Sequence, residues 1–263
     1  MLKHCILTVG YSEEWERAFD LLPEVVARLG ITQITLAFVV ELHRRRRLED
    51  SDDAIRGRLQ KLQQQLRDKL GLPVELHIGH GFPASEVSSL ASKIKADGII
   101  AINRSHSVTR DSFMGNVAVN LARVARVPLI IIPSDAQPRS ADSPLLFGTD
   151  GSEAARNAEK FFERLLGETA KSYIVWVKSD HDDDHDEERV RPILHRFEET
   201  YGQVEARRIT GDSTEKLASF GEQEEVGLII IGKRGHTPLA DLMAGSTAEG
   251  LARKARNPLL IVP

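Results

Sequence analysis

Cysteine is nearly absent from this chain. Cys5 is the only one in 263 residues, which excludes an internal disulfide and fits a reducing cytoplasm. It lies in an apolar run, so a buried, inert thiol is expected. Long hydrophobic runs are also missing: none reaches the roughly 18–20 residues of a membrane span. The start, Met1 to Leu7, has no signal-peptide core and runs straight into a strand pattern. Neither sign of charge dominates, and the net charge of -4 argues against a general nucleic-acid binder. No G-x-x-x-x-G-K-[ST] sequence occurs, which argues against a fast phosphotransferase of the P-loop kind. What is present is ordinary for a globular protein, 41% hydrophobic and 28% charged, in a chain long enough for one large or two medium domains.

The chain repeats itself. Residues 115–133 (GNVAVNLARVARVPLIIIP) and 245–263 (GSTAEGLARKARNPLLIVP) share about eleven of nineteen positions without a gap. Upstream, Gly98 to Ile102 parallels Gly227 to Ile231, and Ile6 to Glu13 parallels Leu146 to Glu153 less closely. The polar stretch SDAQPRSADS, between Pro133 and Pro144, reads as a connector. Two domains are expected, over 1–135 and 143–263.

Each copy alternates apolar strands with helical patterns. In the first copy a strand over 4–10 precedes a helix over 12–29, capped by Ser12, ended by Gly30 and carrying Pro23 inside it as a kink. In the second, strands at 145–149, 172–177, 203–209, 228–231 and 259–262 alternate with helices at 152–166, 187–201, 213–224 and 246–255. Unbroken apolar strands between helices indicate α/β architecture: two tandem, doubly wound parallel-sheet sandwiches. Ligands of such folds bind at the carboxyl ends of the strands, at the switch point.

One stretch of the second copy suggests what that ligand is. Ile229-Ile230-Ile231 runs into Gly232 and Gly235, and nine residues later Gly245-Ser246-Thr247 opens a helix. Glycines let backbone N–H groups approach an anion, and a helix start adds donors and a favourable dipole. Lys233 and Arg234 would add charge nearby. Asp150 and Gly232 end neighbouring strands and should face one crevice.

These residues resemble the universal stress protein family in its tandem, two-domain form. Gly232, Gly235 and Gly245-Ser246 match the family's G-2x-G-9x-G-(S/T) pattern, Thr149-Asp150-Gly151-Ser152 matches the end of its first strand, and Asn257 to Pro263 matches its closing strand. The resemblance implies an adenine nucleotide alpha hydrolase-like fold and an ATP ligand, with or without Mg. It implies that Asp150, beside Thr149, contacts the nucleoside, Val177 the adenine and Gly232 the ribose side. Gly235, Gly245, Ser246 and Thr247 would take the phosphates. The first copy departs from the pattern. Asn103 stands where Gly232 stands, His106 where Gly235 stands and Gly10 where Asp150 stands, and the loop to Gly115 is one residue shorter, with Asn116 for Ser246. The first copy is therefore expected to be a pseudo-partner that does not hold ATP in the same manner.

Other features carry blander readings. Gly79-His80-Gly81-Phe82-Pro83-Ala84 fits a dinucleotide fingerprint but does not follow the first strand of its unit. The runs His181 to Asp186 and His43 to Arg47 read as solvated loops of opposite charge. Trp15 and Trp176 read as packing residues. The expectation is a cytoplasmic, ATP-binding regulatory protein with at most slow hydrolysis. It has no assigned catalytic residue, metal site, nucleic-acid partner or membrane partner. Its two halves form an intramolecular pseudo-dimer, within a monomer or a homodimer of chains. The competing expectation is a scaffold of the same fold that binds partners without a nucleotide.

Overall fold

A computed structural model of the chain describes residues 2–10, 15, 18–41, 52–103, 117–167, 171–179, 184–235 and 246–263. The first half contains β1 (His4–Thr8), α1 (Leu22–Leu29), β2 (Gln33–Val40), α2 (Asp52–Leu70), β3 (Val74–His80), α3 (Pro83–Ile94), β4 (Gly98–Asn103), α4 (Val117–Val124) and β5 (Leu129–Pro133). The second repeats that order with β6 (Leu145–Gly148), α5 (Glu153–Leu166), β7 (Ser172–Lys178), α6 (Asp184–Thr200), β8 (Val204–Thr210), α7 (Ser213–Gln223), β9 (Leu228–Gly232), α8 (Ser246–Lys254) and β10 (Leu259–Val262).

The ten strands form one sheet in the order β3-β2-β1-β4-β5-β10-β9-β6-β7-β8. Within each half the pairing is parallel. At the seam β5 and β10 run antiparallel, Ile130 opposite Leu260. The two expected sandwiches are thus fused. Each last strand is apolar and has one neighbour within its own half, and the other half supplies the second row of hydrogen bonds.

Side chains alternate along the strands into two apolar layers that run through both halves. Ile230 and Leu260 join α1, α2, α5 and α6 in one layer, while Ile229 and Ile231 join α3, α4, α7 and α8 in the other. From β6 the chain passes to α5 on the first face, and from β9 to α8 on the second. The switch point of the second half therefore lies between β6 and β9.

The ladders fix how the halves correspond. Ile99 N–H donates to Pro128 O, and Ile229 N–H donates to Pro258 O, both at 2.9 Å. Ile99 pairs with Leu129, and Ile229 with Leu259. Positions 130 apart are therefore equivalent from β4 to β5. This corrects the sequence comparison by one residue. Ile102, not Asn103, stands where Gly232 stands; Ser105, not His106, matches Gly235; and the loops to Gly115 and Gly245 have equal length. At the start of each half the shift is 140, since Ile6 pairs with Ile99 as Leu146 pairs with Ile229. Gly10 remains the counterpart of Asp150.

Local expectations differ from the structure in two more places. Pro23 does not kink a continuous helix: a 3-10 turn over Phe19–Leu21 precedes it, and α1 begins around it, where its missing N–H costs nothing. The acidic run at 181–186 is not wholly loop. Asp184, His185 and Asp186 form the first turn of α6, where carboxylates favour the positive end of the helix dipole.

Candidate functional site

The segment after β6 is folded around its own polar groups. Thr149 is buried; its N–H donates to Val175 O at 3.0 Å, and its Oγ1 accepts from Gly151 N–H at 3.1 Å. Asp150 Oδ1 accepts from Ser152 N–H at 2.9 Å, closing an Asx turn. Gly151 has φ 71°, a left-handed conformation that a side chain would strain. Ser152 then caps α5, accepting from Ala155 N–H at 3.2 Å.

The segment after β9 meets this turn closely. Ser152 Oγ donates to Arg234 O at 3.2 Å. A Cβ on Gly235 would lie 2.9 Å from Asp150 Oδ2, so the Asp150 carboxylate and the Gly235 backbone share one corner of the switch-point crevice. A Cβ on Gly232 would lie 2.6 Å from the Ala154 carbonyl carbon and the Ala155 nitrogen. The glycine at 232 is thus required by the passage of α5.

Val177 is buried near the end of β7, in the layer shared with α7 and α8. Trp176 alternates with it and is stacked by Arg208 and Lys178. Ser246 and Thr247 open α8, the first exposed and the second half-buried. Gly245 lies outside the described residues, as do His181 to Asp183 and the basic run at 43–47.

Lys233 is not in the crevice, which corrects the expectation that it adds charge near the phosphates. Gly232 faces α5 on the first face, so the next side chain points to the second face. There Lys233 is buried, and its ammonium donates to Ala125 O, just beyond α4 of the other half. Burial foremost, and then the charges of Arg234 and Arg126, lower its pKa to about 8. The α8 side of this seam carries Glu249. It accepts from Arg123 Nε at 2.9 Å and from Arg253 Nη2 at 2.9 Å. These bonds, that from Arg123 foremost, hold its pKa down at about 2 against the opposing effect of burial.

Sequence reasoning missed Arg189. It reaches from α6 to donate from Nε to Asp150 O at 3.2 Å and from Nη2 to Asp186 Oδ1 at 2.6 Å. Its stem packs against Gly151. No spacing rule marks a single arginine on an exposed helix, so nothing in the sequence pointed to it.

The first half fills the corresponding region. A Cβ on Gly10 would meet the Trp15 ring at 3.5 Å. The buried Trp15 indole donates to Thr8 O at 3.0 Å. Trp15 and Ile102 belong to one apolar layer and occupy the positions of Ala155 and Gly232. Two bulky residues thus replace the small pair that lets α5 and β9 approach. Among the described residues, no group of three or more His, Cys, Asp or Glu is placed to hold a metal ion, and no helix is long and apolar enough to cross a membrane.

A fused pair of doubly wound, mostly parallel sheets defines an α/β fold of the adenine nucleotide alpha hydrolase-like type. The sequence model of the Universal stress protein family matches residues 1–133 and 143–263, and the chain belongs to that family. Universal stress protein Rv2623 of Mycobacterium tuberculosis (strain ATCC 25618 / H37Rv) is 25% identical over 163 residues, covering 56% of this chain and 55% of that protein. The chain thus matches about half the length of this relative. A universal stress protein from Archaeoglobus fulgidus DSM 4304 superimposes over 98% of this chain and 95% of its own, with TM-score 0.77 and 21% identity, a likeness of fold. A universal stress protein solved in complex with cAMP matches 47% of this chain at 21% identity and TM-score 0.38.

Proposed function

We propose that the second half, 143–263, binds an adenine nucleotide, ATP with or without Mg, in the crevice between β6 and β9. The observation that carries this reading is the contact of Asp150 with Gly235. A carboxylate able to accept from a nucleoside stands against a backbone with no Cβ, at the switch point of the sheet. Thr149 fixes the turn, Val177 supplies an apolar wall for the base, and Ser246 and Thr247 bring hydroxyls and the first N–H groups of α8 to the phosphates. Gly245, in the same pattern, allows the backbone to close on them. Mg, where present, would be held chiefly by phosphate oxygens.

The first half, 1–135, serves as a pseudo-partner, with Trp15 and Ile102 packed where the second half has Ala155 and Gly232. The molecule is an internal pseudo-dimer joined at β5 and β10. The role is regulatory and cytoplasmic, the latter in keeping with a lone buried thiol whose pKa burial and Asp97 push up to about 12. Asp150, already bonded to Ser152, is poorly placed as a general base, so hydrolysis is at most slow.

Titration calorimetry of the full chain with Mg-ATP tests this. One site per chain is expected. Affinity should fall at least about tenfold in Ser246→Ala/Thr247→Ala, which removes two hydroxyls from a charged group. The absence of binding at millimolar ATP overturns the reading in favour of a nucleotide-independent scaffold, for which the bulky Trp15 and Ile102 of the first half are the supporting observation.

A further inference from the structure

A second candidate site lies at the seam, one strand over from the crevice, its lining residue Val262 pairing with Gly232. Arg126, Asn157, Lys160, Phe161, Arg164 and Pro263 line a groove enclosing about 260 Å³, between α5 and the ends of β5 and β10. Its three cations are exposed. Among the described residues none of them forms an ion pair; Lys160 makes a hydrogen bond to Asn157 Oδ1 at 3.3 Å.

The molecule contains the counterpart of this groove, and that counterpart is occupied. Pro133 is equivalent to Pro263. Residues of α1 and its approach lie 140 positions before those of α5: Ala18, Leu22 and Val26 are buried as Ala158, Phe162 and Leu166 are. Asp20 and Glu24 thus stand where Lys160 and Arg164 stand. Across that surface runs the connector 134–143. Its own Ala136 is buried, its Arg139 N–H donates to Glu24 Oε2 at 3.2 Å, and Arg28 donates to its Ser140 O at 2.7 Å. The connector covers one of the two equivalent surfaces, and among the described residues nothing covers the other. The covered one carries Asp20 and Glu24 and is met by the connector through main-chain groups, while the Arg139 guanidinium pairs with Glu225 at 3.1 Å. The open one has the opposite charge.

We propose that this groove docks an extended acidic peptide segment of a partner protein. Lys160 and Arg164 are one helical turn apart, about 6 Å along the axis. Alternate side chains of an extended chain are about 6.6 Å apart, so two carboxylates at alternate positions can meet both cations. Arg126 provides a third contact from the other half. The proposal does not rest on nucleotide binding.

The test uses the full chain and a fluorescein-labelled octapeptide of alternating Glu and Ser, read by fluorescence anisotropy at low salt. Saturable binding is expected, with affinity reduced at least about tenfold in Lys160→Glu/Arg164→Glu and little changed by Lys93→Glu on α3. If the double variant loses its far-ultraviolet circular dichroism, Lys160→Gln/Arg164→Gln is used, with the same direction expected. Three results overturn the proposal: no saturable binding, an equal loss in Lys93→Glu, or displacement by inorganic tripolyphosphate at the peptide's own concentration, which would mark a small-anion site.

Discussion

Asn103 and Lys233 are register equivalents, and each donates across the seam to a main-chain carbonyl of the opposite half. Asn103 Nδ2 reaches Ala252 O at 2.6 Å, and Lys233 Nζ reaches Ala125 O. Both acceptors lie in or just beyond the last turn of a helix, where unsatisfied carbonyls gather negative potential. One position thus ties the halves together in both directions, with a neutral amide on one side and a buried ammonium on the other.

The ammonium should leave a signature in alkali. In the unfolded chain Lys233 keeps its proton to about 10.5, whereas in the fold it loses it near 8. Between those values the unfolded state binds more protons, so this residue makes stability rise with pH. The gain in urea-unfolding free energy from pH 7 to pH 10 should be larger in the native sequence than in Lys233→Met, by roughly 1–3 kcal/mol. Identical pH dependence in the two proteins would rule out a lowered pKa for Lys233 in the seam.

Glu249 should act at the other end of the scale. Its carboxyl protonates near 4.5 when unfolded and near 2 when bonded to Arg123 and Arg253. Its contribution is complete above 4.5 and is lost as pH falls towards 2. Replacing it with Gln should lower stability at pH 7 by about 1 kcal/mol, a modest figure because the Arg123 side chain is 42% exposed. The native and Glu249→Gln curves should converge by pH 2–3. A gap that stays constant with pH would contradict the account.

The two crevice glycines should fail in different ways. Alanine at 232 meets the backbone of α5, which cannot step aside, so a loss of about 1–3 kcal/mol is expected in thermal or urea unfolding. Among the described residues, alanine at 235 meets only the Asp150 carboxylate, a side-chain end that can turn. Gly235→Ala should therefore fold with near-native stability while ATP affinity drops about tenfold as its Asp150 contact is displaced. Equal stability losses in the two variants would mean that the crevice geometry described here is wrong.

The α/β class, the element order and the duplication were legible because apolar runs and helical periods are local. The correspondence between halves was misjudged at a glycine. Gly98 and Gly227 look like partners in the text, but hydrogen bonding places Asp97 opposite Gly227, through Asp97 N–H to His4 O and Gly227 N–H to Pro144 O. Lys233 was misassigned for a related reason. Its neighbour Gly232 faces α5, so period-two alternation turns Lys233 to the opposite face. What it meets there depends on the β5–β10 pairing, which no local pattern encodes. Arg189 was invisible because its partner is a main-chain carbonyl, and any residue type supplies one.

The antiparallel seam has a consequence for any attempt to dissect the chain. Cutting within 134–143 would strip Leu129–Pro133 or Leu259–Val262 of a neighbour, leaving a row of unsatisfied amides along a greasy border. A fragment so exposed would template onto a copy of itself. Its size in solution would then describe the knife cut rather than the native molecule.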